Sequence, residues 1–187
     1  PAIAIRELVA NAKKHKNKTI TDAGPLVEMF SDRLEITNPG QPLVQPERFL
    51  DFPPRSRNEA LASLMRRMRL CEEQGTGIDK VIVAVELHQL PAPDFRTEGD
   101  AVRAVLYAPR RFAEMTPQER VRACYQHAAL KYVSGQRMKN ASLSERLGID
   151  PQNAAQTSVV IRQARQAGLT PPAEPAHPRA GYVPFWA

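Results

Sequence analysis

Glu7-Leu8-Val9-Ala10-Asn11-Ala12 is the stretch on which the reading of the chain turns. It lies in a segment, residues 2–16, whose apolar positions Ile5, Leu8, Val9 and Ala12 recur at helical spacing, which predicts an amphipathic helix. Glu7 and Asn11 are four residues apart, so a helix places both on one face. A carboxylate can orient or deprotonate a water, and a carboxamide oxygen is a hard ligand suited to Mg²⁺. Far downstream, Gly75-Thr76-Gly77-Ile78 can bring backbone N–H groups close to phosphate oxygens. Together the two pieces predict a nucleotide pocket that is not a P-loop. Taken alone, Glu7 and Asn11 also suit a solvated helix face.

Outward from that helix, the first half alternates between extended and helical patterns. Leu26-Val27-Glu28-Met29-Phe30 and Arg33-Leu34-Glu35-Ile36-Thr37 predict two strands in a tight hairpin turning at Ser31-Asp32. Asn38-Pro39-Gly40 breaks the pattern, and Pro39, Pro42, Pro46, Pro53 and Pro54 predict a long loop over 39–57. Loops of that length are often functional lids. Helices are expected over 58–70 and 78–89, then closing strands at 95–97 and 101–107 around a turn at Gly99-Asp100. This order implies an α+β fold, a layer of helices on a mixed or antiparallel sheet.

The character changes between Pro109 and Pro117. Thr116, Pro117 and Glu119 predict a capped helix over 117–133. Ser142 as cap, Glu145 and Gly148 predict a short second helix, and Asp150 or Pro151 opens a third that Gly168 stops. Three helices followed by an extended tail follow the plan of a winged helix-turn-helix. Two domains are therefore expected, residues 1–112 and 113–187. In the second, Gln152, Asn153 and Gln156 are candidates for base edges, Arg162 and Arg165 for phosphates, and Arg137 and Lys139 for clamping the backbone. Winged helices also mediate dimers, and the adjacent Val159 and Val160 leave self-association open. Tyr182, Phe185 and Trp186 predict a terminal strand packed back on the core.

Composition narrows the classes. The 187 residues are 42% hydrophobic and 25% charged, with a net charge of +6, and residues 113–187 carry nine Lys and Arg against five Asp and Glu. That balance permits nucleic acid as a partner. No apolar run approaches the length of a membrane span, and no signal peptide is visible. Cys71 and Cys124 form neither a disulfide framework nor a zinc site and fit a reducing cytoplasm as buried small hydrophobes. His88, His127 and His177 have no ligand spacing, and His15 is expected to offset the helix dipole at a helix end. The opening residue is not Met and a helix follows at once, which suggests a piece of a longer protein.

Glu7-Leu8-Val9-Ala10-Asn11-Ala12 resembles the N-box of the GHKL, or Bergerat-fold, ATPases, and Gly75-Thr76-Gly77-Ile78 resembles their second glycine box. The resemblance implies that Asn11 binds Mg²⁺, that Glu7 is the general base in a hydrolytic member, and that the glycine box closes on ATP. Arg6-Glu7, Asn11-Ala12 and His15, then Asp32 through Gly40, Ser56-Arg57-Asn58 and Glu73 through Ile78 resemble the ATPase-like domain of RecG-related, Schlafen/AlbA-type regulators, over about residues 1–108. It implies a Bergerat-like two-layer α/β sandwich, followed in such proteins by a winged helix, to which Met138 through Leu143, Gly168-Leu169 and Tyr182 through Ala187 are similar. An AlbA-like DNA-binding domain usually precedes and is not in this chain. Asn38, Gly40, Arg57, Gly75, Thr76 and Gly77 are then the expected nucleotide contacts. The chain departs from the superfamily in having Asn38-Pro39-Gly40 where an Asp reads adenine, and from the closer branch in having His15-Lys16-Asn17-Lys18 where an acidic residue is usual. No GxxxxGK followed by Ser or Thr occurs, so the chain has no helicase motor motif. A nucleotide-binding DNA regulator, a Mg-dependent ATPase, and a self-associating scaffold with a vestigial pocket are the functions these features allow.

Overall fold

Four strands make one antiparallel sheet, β1 (Leu26–Met29), β2 (Arg33–Pro39), β3 (Asp94–Glu98) and β4 (Ala101–Tyr107), in the order β1-β2-β4-β3. This computed structural model describes residues 1–15, 24–51, 56–68, 70, 77–177 and 180–187. The helices are α1 (Ala2–His15), α2 (Glu59–Arg67), α3 (Gly77–Leu87), α4 (Pro117–Val133), α5 (Asn140–Leu147) and α6 (Ala154–Gln166). The chain divides into two compact units, Pro1–Val85 with Pro93–Ala108, and Glu86–Ala92 with Pro109–Ala187. The expected boundary after residue 112 lies a little beyond that passage at Ala108. The stretch Glu86–Ala92, which pattern alone assigns to the first half, goes with the second unit.

In the first unit the hairpin closes as expected, with Phe30 N donating to Arg33 O at 2.8 Å across Ser31-Asp32. The expected break at Asn38 is not there. β2 runs on through Pro39, and Asn38 and Pro39 pair with Val102 and Ala101. The strand then leaves the sheet at Gly40, whose φ of 110° suits glycine and whose N–H donates to Asp100 O at 2.7 Å. Alternation along the strands puts Leu34, Ile36 and Asn38 on one face with Val102, Ala104 and Phe95. The opposite face carries a chain of ion pairs. Arg33 Nε and Arg103 Nη1 donate to the buried Glu35 at 2.6 and 2.9 Å, and Glu98 joins Arg103 and Arg96 at 3.0 and 2.8 Å. The Arg33 hydrogen bond, helped by the charges of Arg103 and Arg33, holds the Glu35 carboxyl below the usual carboxylate range.

The burial of α1 corrects the expected stripe. Ala4, Glu7, Leu8 and Ala12 are buried, while Ile5 is 38% exposed. The side chains at 4, 8 and 12 are small or aliphatic and lie one turn apart, so the helix packs along them and takes Glu7 and Asn11 inward beside them. The proline segment holds only a short 3₁₀ turn at Pro46–Arg48 among its described residues, and Phe49 packs edge-on against Phe95 of β3, 5.7 Å between centroids. Asn58 stands at the N-cap of α2 but makes no capping bond; its Nδ2 instead donates to Lys14 O at 3.0 Å, at the end of α1. The β-branched run Val81-Ile82-Val83 is helical in α3, and Gln89, with φ 49°, follows its end with its N–H on Glu86 O.

In the second unit α4 begins on the expected capping box, Thr116 Oγ1 accepting from Glu119 N and Glu119 Oε2 from Thr116 N. α5 starts three residues earlier than Ser142 as its cap would have set it. Ser142 lies inside the first turn, where its hydroxyl accepts from Lys139 N at 3.1 Å and donates to Lys139 O at 3.0 Å. α6 follows a 3₁₀ turn, Pro151–Asn153, whose first N–H groups are met by Asp150 Oδ1 accepting from Gln152 N at 2.8 Å. The core joins Cys124 and Ala128 of α4, Leu143 and Leu147 of α5, Val160, Ile161 and Ala164 of α6, and Met138. Burial pushes the Cys124 thiol up to about 12, which keeps it protonated, as expected of a buried small hydrophobe. Tyr182 joins Met138 and Pro172 through isolated antiparallel bridges rather than a terminal strand. Trp186 Nε1 donates to Tyr125 OH at 3.0 Å, packing the tail back on α4. Among the described residues no helix is long and apolar enough to cross a membrane.

Candidate functional site

A cavity of about 180 Å³ opens in the first unit between α1, the pocket-facing side of the sheet, and the segment after β2. Its walls are apolar: Leu8 and Ala12 of α1, Ile36 of β2, Ile78 of α3, Phe95 of β3, Val102 and Ala104 of β4, with Val44 and Phe49 from the loop. Polar groups converge on it from four stretches of chain. Asn11 comes from α1, Asn38 from β2, Gly40 and Gln41 from the loop, and Arg57 from the segment before α2. Apolar walls with a few placed polar groups are the ordinary make-up of a small-molecule site.

The strands explain the placement. Because β2 continues past Thr37, Asn38 stays in register opposite Val102 and faces the cavity beside Ile36. Its Oδ1 is buried and has no hydrogen-bond partner among the described residues. A buried acceptor left unmatched costs free energy, and a donor on a bound molecule would meet it. The loop is held from its other side. Gln41 Nε2 donates to Gly99 O at 2.8 Å and Asp100 Oδ1 at 3.0 Å, and Arg57 Nη2 donates to Gln41 O at 2.6 Å.

Part of the cavity lining is basic, with Lys14, His15 and Arg57 and, among the described residues, no carboxylate. His15 does not offset the helix dipole as expected. Burial first, then the charges of Lys14 and Arg57, push its imidazole down to about 4, so it is neutral near pH 7.

Glu7 is 3% exposed and is not among the residues that line the cavity. Its Oε1 accepts from Arg6 Nη2 at 3.1 Å. Its Oε2 would be 3.2 Å from a Cβ on Gly77, and Asn11 Nδ2 would be 3.3 Å from it. This close approach is a reason for glycine at position 77. The expected contacts Gly75 and Thr76 lie outside the described residues, as does Cys71. The structure thus brings Asn11, Asn38, Gly40 and Arg57 to one cavity and sets Glu7 and Gly77 side by side.

In the second unit all seven candidate nucleic-acid contacts are accessible. Gln152, Asn153, Gln156, Arg162 and Arg165 are exposed on α6 and the turn before it, opposite the buried Thr157, Val160, Ile161 and Ala164. Lys139 is exposed before α5, and Arg137 is paired with Glu174 at 2.7 Å. Asn140 Nδ2 donates to Ser158 Oγ at 2.9 Å, fixing the start of α5 against α6. A buried polar relay that the sequence did not disclose stands behind this. His127 Nδ1 is 3.0 Å from Glu86 Oε2, its Nε2 is 3.1 Å from Ser142 Oγ, and Arg146 Nε lies 3.4 Å from Glu86 Oε1. Glu86 and His127 are 41 positions apart, so no local spacing signals the pair.

The first unit, a small antiparallel sheet carrying helices, is consistent with the ATPase-like α/β class. Residues 22–106 match the family described as "Putative ATP-dependent DNA helicase recG C-terminal", which supports a RecG-related, ATPase-like domain there. The match spans rather less than half of the chain and begins after α1, so Glu7 and Asn11 lie outside it. The crystal structure of the DIP2311 protein from Corynebacterium diphtheriae is similar, with a TM-score of 0.55 and 22% identity over 87% of this chain. Those residues cover 35% of that protein, so the chain spans about a third of its length, and the likeness bears on the fold. No curated protein gives a significant match.

Proposed function

We propose that the first unit binds ATP with Mg²⁺ and that the second is a winged-helix module that binds duplex DNA, as parts of a nucleotide-responsive regulator. The observation that carries the first half is the convergence of Asn11, Asn38, Gly40 and Arg57 on one cavity whose buried Asn38 Oδ1 lacks a donor. An adenine ring suits the apolar walls, its exocyclic amine suits that oxygen, and Lys14 and Arg57 suit phosphates. Asn11 suits Mg²⁺ as a single protein oxygen, with the nucleotide and water completing the shell. The ion's contribution there is to neutralise phosphate charge.

Glu7 is paired with Arg6 and set back from the cavity, which gives binding more support than hydrolysis with Glu7 as base. For the second unit, the support is the exposure of Gln152, Asn153 and Gln156 at and before the start of α6 and of Arg162 and Arg165 later along it. A helix presenting amides early and guanidiniums later matches base-edge and phosphate contacts in a major groove. Use of this surface for self-association is the competing outcome.

Calorimetric titration of MgATP into the whole chain tests the nucleotide half. Saturable heat at up to millimolar ligand, reduced at least tenfold in affinity by Asn38→Leu, is expected. No heat from a folded protein overturns it. Duplex DNA binding that weakens steeply with salt is expected of the second unit; a concentration-dependent dimer with no DNA affinity would favour self-association.

A further inference from the structure

His15 closes α1 in the basic part of the cavity lining. Among the described residues two charged groups act on it, Lys14 on its own helix and Arg57 from the segment before α2. The groups that line the cavity from β2, the loop, α3, β3 and β4, such as Asn38, Gln41, Ile78, Phe95 and Val102, are uncharged. Among the described residues of that lining no carboxylate is available to stabilise an imidazolium. In the free protein burial and the two cations therefore keep the ring neutral near pH 7. A phosphate seated between Lys14 and Arg57 reverses the local field. It supplies negative charge in a poorly solvated site, where a charge is felt more strongly than in water.

We propose that His15 couples ligand binding at this cavity to proton uptake, joining Lys14 and Arg57 as a third cation against a phosphate-bearing ligand. This rests on the nucleotide reading of the cavity. The proton comes from solvent and adds to the free ring nitrogen. By linkage, a ligand that favours the protonated ring binds more tightly as pH falls, and the protonated ring favours the ligand to the same degree. The nucleotide's own terminal phosphate also titrates, near pH 6, and works against uptake because a cationic site favours its deprotonated form. The contribution of His15 is therefore the difference between the wild type and His15→Asn.

The test is calorimetry of MgATP with the whole chain, at pH 6 and pH 7.5, in pairs of buffers that differ in ionisation enthalpy. The expected wild-type result is greater net uptake at pH 6 than the variant shows, by roughly half a proton, and an affinity gain of about three- to tenfold between pH 7.5 and 6 that His15→Asn lacks. Should the variant fail to fold, the imidazole signal of His15 in the wild type, followed by NMR with and without MgATP, reads the same quantity. It should titrate at higher pH when the nucleotide is bound. MgATP binding with equal uptake in both proteins, or with an unmoved imidazole titration, overturns the proposal and leaves the nucleotide reading standing. No binding of MgATP at either pH overturns both.

Discussion

Gly77 at the start of α3 faces Glu7 of α1 so closely that a methyl group on it would sit 3.2 Å from the Glu7 carboxylate. Alanine normally gains up to about 1 kcal/mol over glycine in a helix. Here that gain is offset by the shift forced on Glu7 and Asn11. Gly77→Ala is expected to change thermal stability by less than about 1 kcal/mol and to weaken MgATP binding about tenfold through displacement of Asn11. Paired thermal melts and titrations check both.

The His15 imidazole, neutral down to about pH 4 in the folded chain, has an ordinary value near 6.5 when unfolded. Between those values the unfolded chain binds more protons than the folded one, so stability falls as pH drops from 6.5 towards 4. The slope this group adds is at most about 1.4 kcal/mol per pH unit. Denaturant midpoints between pH 7 and 4.5 should fall less steeply for His15→Gln than for the wild type.

Glu35 accepts from Arg33 and Arg103 on the sheet face opposite the cavity. Both guanidiniums keep about a third of their surface in water, so each can rehydrate when the carboxylate is lost. Glu35→Gln should therefore cost about 1–3 kcal/mol rather than the larger penalty of a fully buried pair. The Glu35 carboxyl is held below its unfolded value, so its contribution is present above the ordinary carboxylate range and is lost as pH falls through the lowered value. Urea unfolding at pH 7 and pH 3 should show the variant's deficit shrinking in acid.

His127 is 4% exposed and bridges Glu86 to Ser142. His127→Ala opens a void and strips a partner from each neighbour, an expected loss of about 2–4 kcal/mol. Hydrogen exchange should show faster opening of the α5 amides, because Ser142 also holds Lys139 at the start of that helix.

Arg162 and Arg165 are exposed on α6. If each meets a phosphate, Arg162→Ala and Arg165→Ala should each lower the slope of log affinity against log salt by about one, with little change in sequence preference. Gln156→Ala should do the reverse, relaxing preference at about constant slope.

The periodicities foretold most of the element order because each element carries its own local signal. The 117–133 helix was legible through Thr116, Pro117 and Glu119, whose caps are local chemistry. Local pattern nominates candidate contacts as residues but does not give their geometry. Asn38 read as a turn because Pro39 follows it, yet pairing with β4 carries the strand through both. Glu7, nominated as a general base, could also read as a solvated polar residue, because helical periodicity cannot tell which side of a small-residue stripe the sheet will cover. The relay from Glu86 through His127 to Ser142 joins parts far apart in sequence, and no window short enough to show periodicity holds all three. His15 was misread for the same reason: its environment depends on Arg57, which arrives from another segment.

Asn38 presents an amide to the cavity, and Lys14 and Arg57 line the same cavity. Under the nucleotide reading these groups answer to different solution variables. A hydrogen bond to Asn38 among apolar walls would be neutral, insensitive to ionic strength and to pH. Contacts from Lys14 and Arg57 to phosphate would be Coulombic and would weaken as salt rises. Raising the salt concentration should leave a bare nucleoside's affinity unchanged while eroding the advantage that each added phosphate confers.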